Sequence, residues 1–537
     1  MRSRLCVLLA IAAVPLAGCG STGTTSSSGP GADPARLVPS TTPLYVEAVV
    51  RPDGSLRDGA TAALGKLLGT SDPWAKVTAL LDRSSGSNDV TWEDLKPWLG
   101  KRVGVFLTSI GSAHTQGAVI ADTTDTGKAQ AALGQIVRRS AARNHGSPAG
   151  QSYRGVGLQI DRNGDIAAGV VDGYGLLGSL SAVHQAVDVA RGGRPLTDVT
   201  DYAAARSAVG ADRSLGLAYV VPQGIIDALA RMSGSAAAVS PVRNPQTLAL
   251  LRQAMARAGR VLTASLHADA GAVRLDLASI GAPASSASTA GADALAALPS
   301  DAWLGLGLGH LGTGLTRGVT ELGQLARISG GVVSSGGIDV AGLLARFKAR
   351  TGIDLQRDFF SWMGTGAVYA RGTGLADIGG ALTITSTDPA KSHRAVALLG
   401  RGLRRAGAQV QAATVPGYDT AIEVRTTRVP VSLFVAAGGN RFSLGINPQA
   451  LTDVLHPSST LGSSAPYRDA TVALGGDLKP IFLLDTPTIV NLLDSFGVTS
   501  QPAFAKAKPI LDALGPIAIG SARDGNITRI SVALGLR

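Results

Sequence analysis

The same series of sequence features occurs twice along the chain, in the same order. This repetition restricts the possible folds more than any other feature. A tryptophan, then a glycine two residues later, then an apolar run occurs at Trp98 and again at Trp362. A strand-like run that ends in an acidic residue before a helix-like segment occurs at Asp125 and again at Asp388. Because chance rarely keeps many landmarks in order, we interpret the chain as two tandem copies of one domain. Further pairs in the same order are Tyr202 with Tyr467, Asp212 with Asp477, and Pro222 with Pro487.

The duplication also predicts the domain boundaries. A single core rarely grows beyond ~250–300 residues, whereas this chain has 537. We therefore assign a first repeat domain to residues 37–280 and a second to residues 294–537. Residues 281–293 between them begin with the small, polar run GAPASSASTAG, which is typical of a flexible linker.

Both strand and helix patterns occur within each copy. Residues 215–221 and 261–267 show the β-branched alternation of half-buried strands. Residues 129–139 carry apolar side chains at the 3.6-residue spacing of a helix. The dipeptide Asn163-Gly164 is a favoured hairpin turn. Hairpins interspersed with helices predict the α+β class, with a mainly antiparallel sheet and packed helices in each copy.

The N-terminal residues have the pattern of a secretion signal. Two arginines precede an apolar run over residues 5–16, which is too short to span a bilayer, since a helix needs ~20 residues for that. The sequence LAGC at residues 16–19 then resembles the lipobox of bacterial lipoproteins. In that family the leader is removed before the cysteine, which receives diacylglycerol and often a further acyl chain such as palmitate. The resemblance implies a signal peptide over residues 1–18 and lipid on Cys19.

Cysteine usage agrees with attachment through Cys19. The chain has two cysteines, and Cys6 lies inside the predicted leader, so Cys19 remains without a disulfide partner in the mature chain. The Gly-, Ser- and Thr-rich residues 20–34 predict a flexible tether with a root-mean-square span of ~20 Å. We assign residues 19–36 to the lipidated cysteine and its tether. We therefore expect the protein at the extracytoplasmic face of the cell membrane, held there by its lipid.

The charge of the chain restricts its partners less sharply. A net charge of +11 could favour anionic lipids, cell-wall polymers or nucleic acid. No run of five or six like charges occurs, so we interpret the arginines as a solubilising surface and expect no nucleic-acid partner. The densest basic cluster, Arg401 to Arg405, lies at a predicted helix C-terminus, where cations complement the helix dipole.

The glycine-rich stretch from Gly307 to Gly312 has two interpretations. It matches the GxGxxG fingerprint, in which a tight turn lets pyrophosphate bind at a helix N-terminus. However, no clear second strand ending in an acidic residue follows ~20 positions later, and the first copy has Glu47-Ala48 at the corresponding place. A chain with 69 glycines also produces such spacings by chance. We therefore expect no cofactor.

Other patterns of metal or catalytic sites are incomplete. Asp161 to Asp165 resembles the start of a calcium loop, but Ile166 stands where the loop needs glycine, so we favour a hairpin. The seven histidines are scattered, without HExxH or cysteine partners, and predict no metal site. Neither a GxSxG elbow nor a P-loop occurs. Trp98 and Trp362 could stack on a ligand, but we favour buried anchors because tryptophan buries a large apolar area.

The Leu-x-Pro-Ser starts, the Trp-x-Gly elements and the strand-Asp-x-x-Lys helices resemble a large bacterial family of secreted and lipid-anchored proteins. That family is known as a domain of unknown function, common in high-GC Gram-positive bacteria. The resemblance covers residues 37–537 and implies no catalytic residues.

Two functional hypotheses follow from the sequence. The first is a non-enzymatic envelope lipoprotein that binds a lipid or wall component, or that acts as a scaffold. The alternative is an extracytoplasmic hydrolase whose site combines residues distant in sequence. A duplicated active site would bring together the ionisable residues that the two copies share, which are Asp125 and Asp388, Lys128 and Lys391, and Asp212 and Asp477.

Overall fold

The computed structural model describes residues 33–76, 95–109, 115–143, 145–161, 166–230, 245–282, 289–328, 340–374, 377–426, 429–498 and 501–537. The predicted leader, Cys19 and nearly all of the predicted tether lie outside these residues, as does the turn at Asn163-Gly164. The chain forms two compact units. Unit 1 comprises Met1–Pro283 with Gly525–Arg529, and unit 2 comprises Ala284–Asp524 with Ile530–Arg537.

Unit 1 contains a sheet of ten strands among its described residues. Neighbouring strands pair antiparallel, in the order β4-β5-β6-β7-β3-β2-β1-β8-β9-β10. The strands are β1 Leu44–Val49, β2 Leu99–Ser109, β3 Gln116–Thr123, β4 Pro148–Tyr153, β5 Val156–Asp161, β6 Ala167–Val171, β7 Tyr174–Gly178, β8 Gly216–Val220, β9 Val261–Ala268 and β10 Ala272–Ile280. The helices are α1 Gly54–Leu68, α2 Thr126–Arg143, α3 Leu180–Ala190, α4 Thr200–Ala208, α5 Pro222–Ala230 and α6 Pro245–Ala258, with 3₁₀ turns at Pro34–Leu37, Leu196–Asp198 and Ala211–Arg213.

Unit 2 contains a second set of strands in the order β14-β15-β16-β17-β13-β12-β11-β18-β19-β20. They are β11 Ala302–Leu308, β12 Met363–Arg371, β13 Gly379–Ser386, β14 Gln409–Ala413, β15 Thr420–Thr426, β16 Val429–Gly438, β17 Arg441–Gly445, β18 Pro480–Leu484, β19 Leu514–Asp524 and β20 Ile527–Leu536, whose residues up to Arg529 are assigned to unit 1. The helices are α7 Thr289–Ala296, α8 Leu311–Ile328, α9 Val340–Thr351, α10 Pro389–Arg405, α11 Pro448–Leu455, α12 Ala465–Ala473, α13 Thr486–Ser495 and α14 Pro502–Asp512, with a π-helical turn at Gln356–Phe360 and a 3₁₀ turn at Leu461–Ser463.

The strands of the two units have the same order. If the strands of each unit are numbered from its first strand, both units read 4-5-6-7-3-2-1-8-9-10. In each unit the third strand is followed by a helix that carries an aspartate at its start, α2 after β3 and α10 after β13. The predicted α+β class with mainly antiparallel sheets is confirmed. None of the helices among the described residues combines the length and the apolarity that crossing a membrane requires.

The sheet of unit 1 is covered on both faces, because its strands alternate buried side chains between two cores. Tyr45 of β1 joins a core that includes residues of α3 and α4. Ala48 of the same strand faces the opposite core, which includes Trp98 and residues of α2. Trp98 is 3% exposed and Trp362 is fully buried in a core of unit 2. The expectation that both tryptophans are buried anchors is therefore confirmed.

The end of the expected linker is structured. Helix α7 begins at Thr289, and both Gly291 and Ala292 in it are buried. This helix packs on β11 so closely that a Cβ atom at Gly307 would overlap the carbonyl oxygen of Gly291. The small residues that suggested flexibility in the sequence are the ones that allow this close approach of helix and strand.

Candidate functional site

The ionisable residues that the two copies share lie at helix starts. The backbone amide of Lys128 donates to Asp125 Oδ1 at 3.0 Å, and that of Lys391 donates to Asp388 Oδ1 at 3.1 Å. Each lysine Nζ also lies near its aspartate, at 3.0 Å and 3.4 Å. The hydrogen bond from the backbone amide lowers the pKa of both aspartates below the ordinary value. These residues are helix caps, which stabilise the first turns of α2 and α10.

The third shared pair does not complete a site either. The Asp212 side chain is 86% exposed and accepts a 2.9 Å bond from Arg206, while Asp477 is exposed in a turn. A duplicated active site built from the shared residues is therefore ruled out. Cys19, the one site residue predicted from the sequence, lies outside the described residues.

The most elaborate polar arrangement in the described structure surrounds Glu47. We call it the Glu47 cluster, and it consists of Asp33, Tyr45, Glu47, Arg102, Tyr202 and Arg206. Glu47 lies on β1 between β2 and β8 and is 4% exposed. The Tyr45 hydroxyl donates to Glu47 Oε2 at 2.8 Å, and Arg102 Nη1 donates to Oε1. Both carboxylate oxygens of Glu47 thus have a partner, one on its own strand β1 and one on the neighbouring strand β2.

Arg206 of α4 joins Glu47 to the start of the described fold. Its Nη1 atom lies 3.9 Å from Glu47 Oε2 and donates to Tyr202 Oη and to Asp33 Oδ2, each at 3.3 Å. Asp33 also accepts the backbone amide of Ala35 on Oδ1 at 3.0 Å. A single arginine therefore connects helix α4, the central strand β1 and the first described residue.

Burial controls the titration of the tyrosines in this region. Burial, and next the negative charge of Glu47, raises the pKa of Tyr45 and of Tyr202 well above the ordinary value. Burial and the charge of Asp122 raise the pKa of Tyr174 to about 12. Burial alone would lower the pKa of Arg206, but the negative charges of Asp33 and Glu47 and the hydrogen bond to Tyr202 raise it instead. Because their pKa values are raised, Tyr45 and Tyr202 are neutral phenols at neutral pH.

In this network both carboxylate oxygens of Glu47 already have partners within the protein. The carboxylate of Glu47 is paired and desolvated, and breaking a buried pair is costly. The cluster is particular to unit 1, because the corresponding strand β11 (AWLGLGL) has no ionisable residue. Its sequence signal is an isolated carboxylate in an otherwise apolar strand.

Ser265, His267 and Asp276 lie together but do not form a catalytic triad. The same ring nitrogen of His267, Nε2, lies 2.8 Å from Ser265 Oγ and 3.2 Å from Asp276 Oδ2. A triad needs the acid and the nucleophile on opposite nitrogens. Ser265 is 1% exposed and donates to the carbonyl oxygen of Val209 at 2.6 Å. The other nitrogen, Nδ1, lies 3.2 Å from the carbonyl oxygen of Arg213. The group is a buried connection between β9 and the turn after α4.

The glycine-rich stretch is not a dinucleotide site. It lies between β11 and α8, but β11 pairs antiparallel with both of its neighbours, whereas the dinucleotide fold uses parallel strands. Gly307 is needed for the close contact with α7 described above. Among the described side chains, no group of three or more His, Cys, Asp or Glu is placed to hold a metal ion.

An open cleft of about 600 Å³ in unit 2 lies between the start of α8 and the π-helical turn. The hydroxyls of Thr313 and Thr316 in its wall donate to the backbone carbonyls of His310 and Gly312, at 3.0 Å and 2.8 Å. The Ser361 hydroxyl does the same to Arg357 at 2.8 Å. These three hydroxyls therefore already have partners within the protein.

The fold and these sites define an α+β protein of two antiparallel-sheet units, in which the Glu47 cluster and the His267 group connect elements of the fold. The chain belongs to the family described as "Protein of unknown function (DUF3352)", whose model matches residues 6–536. The expected membership of an uncharacterised domain family is thereby confirmed.

Among solved structures, two crystal forms of TP0453 are similar to part of the chain. Crystal forms III and I are each 10% identical to it, with a TM-score of 0.24. The matches cover 47% and 48% of this chain and 81% of TP0453. A comparison with curated proteins finds no match.

Proposed function

We propose that this protein is a lipoprotein of the extracytoplasmic face of the cell membrane, where it acts as a non-enzymatic scaffold. The observation that carries the proposal is the LAGC sequence at residues 16–19, directly after a short apolar leader. Lipid on Cys19 would anchor the chain, and the Gly- and Ser-rich residues after it would allow ~20 Å of reach before the fold begins. The first described residue, Asp33, lies 14 positions after Cys19.

We also propose that units 1 and 2 arose by tandem duplication. The common strand order of the two sheets supports this. Two local features recur with it. Each tryptophan of the Trp-x-Gly element accepts a backbone hydrogen bond on its carbonyl oxygen, and each following helix starts with an aspartate cap.

The bonding of the buried polar groups supports a scaffold over the alternative of a hydrolase. The shared aspartates cap helices, Glu47 is held by Tyr45 and Arg102, and the His267 group has the wrong arrangement for a triad. The helices that cover the sheets offer extended outer surfaces for partners of the envelope. Binding at such surfaces requires no reactive group.

Acylation of Cys19 tests the anchoring. The full-length chain is expressed in a Gram-positive host with a labelled fatty acid, beside its Cys19→Ala and Cys6→Ala variants. We expect the wild type and Cys6→Ala to carry the label and to sediment with membranes. Cys19→Ala should carry no label and should leave the membrane fraction. Label on Cys19→Ala, or its absence from the wild type, would overturn the proposal.

A serine-reactive probe tests the alternative. A fluorophosphonate labels activated serines of hydrolases, and we expect no labelling of the folded chain. Labelling that disappears in Ser265→Ala would instead establish a serine hydrolase.

A further inference from the structure

Two helices of unit 2 carry many cations and no acidic residue. Helix α9 (VAGLLARFKART) and helix α10 (PAKSHRAVALLGRGLRR) contain no Asp or Glu. Six exposed cations occupy their C-terminal halves, and we call them the basic face: Arg346, Lys348, Arg350, Arg401, Arg404 and Arg405.

The C-terminal ends of the two helices lie side by side. Nη1 of Arg405, at the end of α10, donates to the carbonyl oxygen of Thr351, at the end of α9, at 3.2 Å. This contact brings the cations of both helices to one region of unit 2. Lys348 is paired with Asp354 at 2.9 Å. Arg346, Arg350 and Arg401 form no ion pair with any described residue, so their charges remain available to a partner.

Large apolar side chains are exposed among these cations. Leu343 is 50% exposed and Phe347 is 36% exposed. They are four residues apart on α9 and therefore lie on the same side of the helix. An exposed helix that combines apolar side chains with arginines and lysines has the composition of helices that lie at a membrane surface.

Stabilisation of the helix ends accounts for only part of this arrangement. Cations in the last turn complement the helix dipole, and Lys348, Arg350, Arg404 and Arg405 lie in the last turns. Arg346 and Arg401 precede those turns. The exposure of Leu343 and Phe347 also has no relation to the dipole. The helix dipole therefore does not explain the positions of Arg346 and Arg401 or the exposure of Leu343 and Phe347, whereas a binding partner would.

We propose that the basic face binds the anionic headgroups of a membrane, with Leu343 and Phe347 entering the headgroup region. An acidic polymer would neutralise the cations but would leave both apolar side chains in water. A lipid surface accommodates the two kinds of side chain together. The cellular location of this contact rests on the anchoring proposed above, whereas the affinity of the face does not require lipid on Cys19.

Sedimentation with lipid vesicles tests the proposal. The chain from residue 19 onward, with Cys19→Ser, is mixed with vesicles of phosphatidylcholine alone or with phosphatidylglycerol added. We expect binding only to the anionic vesicles, and weaker binding as salt is added. Each cation near an anionic surface contributes about fivefold to partitioning, so Arg346→Ala with Arg401→Ala should weaken binding about 30-fold.

The matched control removes the same charge elsewhere. Arg57 on α1 and Arg138 on α2 are exposed in unit 1, and Arg57→Ala with Arg138→Ala should leave vesicle binding nearly unchanged. An equal loss of vesicle binding in this control would show that binding depends on net charge alone. That result would overturn the assignment to the basic face.

A second pair of substitutions distinguishes a membrane from an acidic polymer. Leu343→Ser with Phe347→Ser should weaken binding to anionic vesicles and should leave binding to polyglutamate unaltered, with folding checked by circular dichroism. Unchanged vesicle binding in this variant would overturn the proposal in favour of a polymer site. Fatty-acid labelling of Cys19 without vesicle binding would refute the basic face alone, while vesicle binding without labelling would refute the anchor alone.

Discussion

The backbone amide of Thr387 donates to the carbonyl oxygen of Trp362 at 2.9 Å. The same bond joins Thr124 to Trp98 at 2.8 Å in unit 1. In both units the bond ties the residue before the second strand to the residue just after the third. The backbone hydrogen bond therefore fixes the Trp-x-Gly element, whose indole is buried in the core of its unit.

Replacement of Trp362 should destabilise unit 2 strongly. The side chain is fully buried and packs against Phe442 with ring centroids 5.3 Å apart. Trp362→Ala should lower the free energy of unfolding by about 3–5 kcal/mol, because it leaves a large cavity. Trp362→Phe should cost less, since it keeps an aromatic ring there. Urea unfolding measures both, and an unchanged midpoint for Trp362→Ala would contradict the anchoring role.

Loss of the charge on Glu47 should destabilise unit 1. Glu47→Gln leaves Arg102 without its carboxylate partner in a buried setting, at a cost of about 3 kcal/mol. The exposed pair of Lys101 and Asp53, whose side chains are 53% and 71% exposed, provides the control. Asp53→Asn should change stability by less than about 1 kcal/mol. Chemical unfolding measures the loss of stability in both variants. Equal losses would show that Glu47 and Arg102 do not form a buried ion pair.

The tyrosines of unit 1 should make stability depend on alkaline pH. A raised pKa in the folded state means that folding favours the neutral phenol. The resulting stability is fully present below the unfolded pKa of ~10. It is lost as pH rises through the folded value, which is about 12 for Tyr174 and Tyr219. Phenolate absorbance should rise late in the titration and together with loss of circular dichroism. Early phenolate absorbance equal to that of all eight tyrosines would contradict their burial.

The aspartate caps should contribute a loss of stability in acid. Because the pKa of Asp388 is lowered in the folded state, its contribution is present above the unfolded pKa of ~3.9. It disappears as pH falls through the lowered value. Asp388→Ala should lower the melting temperature at neutral pH, and the difference from wild type should shrink towards low pH. Asp388→Asn retains a capping side chain and should be milder at neutral pH. A pH-independent difference for Asp388→Ala would rule out the ionised cap.

Gly307 and Gly314 differ in the space around them, and this difference predicts opposite effects of alanine on stability. A Cβ atom at Gly307 would overlap Gly291 of α7, whereas one at Gly314 in α8 meets nothing within 4 Å. Gly307→Ala should therefore destabilise by about 1–3 kcal/mol through overpacking. Gly314→Ala should stabilise by about 0.5–1 kcal/mol, because alanine favours a helix. Thermal unfolding measures both, and a neutral Gly307→Ala would leave the packing role unsupported.

The sequence predicts the local parts of this fold better than the long-range ones. The alternation in residues 261–267 predicts β9, and the apolar spacing in residues 129–139 predicts part of α2, because both signals are local. The order of the strands is not predicted, since β3 pairs with β7 across several other elements. The sequence does not predict helix α7, because its small residues resemble a linker. The close contact of Gly291 with β11 explains why a small residue is present there.

The candidate sites divide in the same way. The caps at Asp125 and Asp388 follow from a strand, an acid and a helix in succession, and the sequence predicts them. The Glu47 cluster depends on partners such as Arg102, which is 55 positions away, and on Arg206 in a later helix. A carboxylate in an apolar strand indicates that a partner is needed, but the sequence does not show which residue that partner is.

The contacts of Asp33 have a mechanical consequence. Its carboxylate binds Arg206 on α4, its carbonyl oxygen accepts the Tyr174 hydroxyl from β7 at 3.2 Å, and its side chain caps the first 3₁₀ turn. A pull on the chain ahead of Asp33 is therefore shared among a helix, a strand and a turn. It does not peel β1 away from its neighbours one hydrogen bond at a time. Unit 1 is built to withstand tension from its N-terminal side.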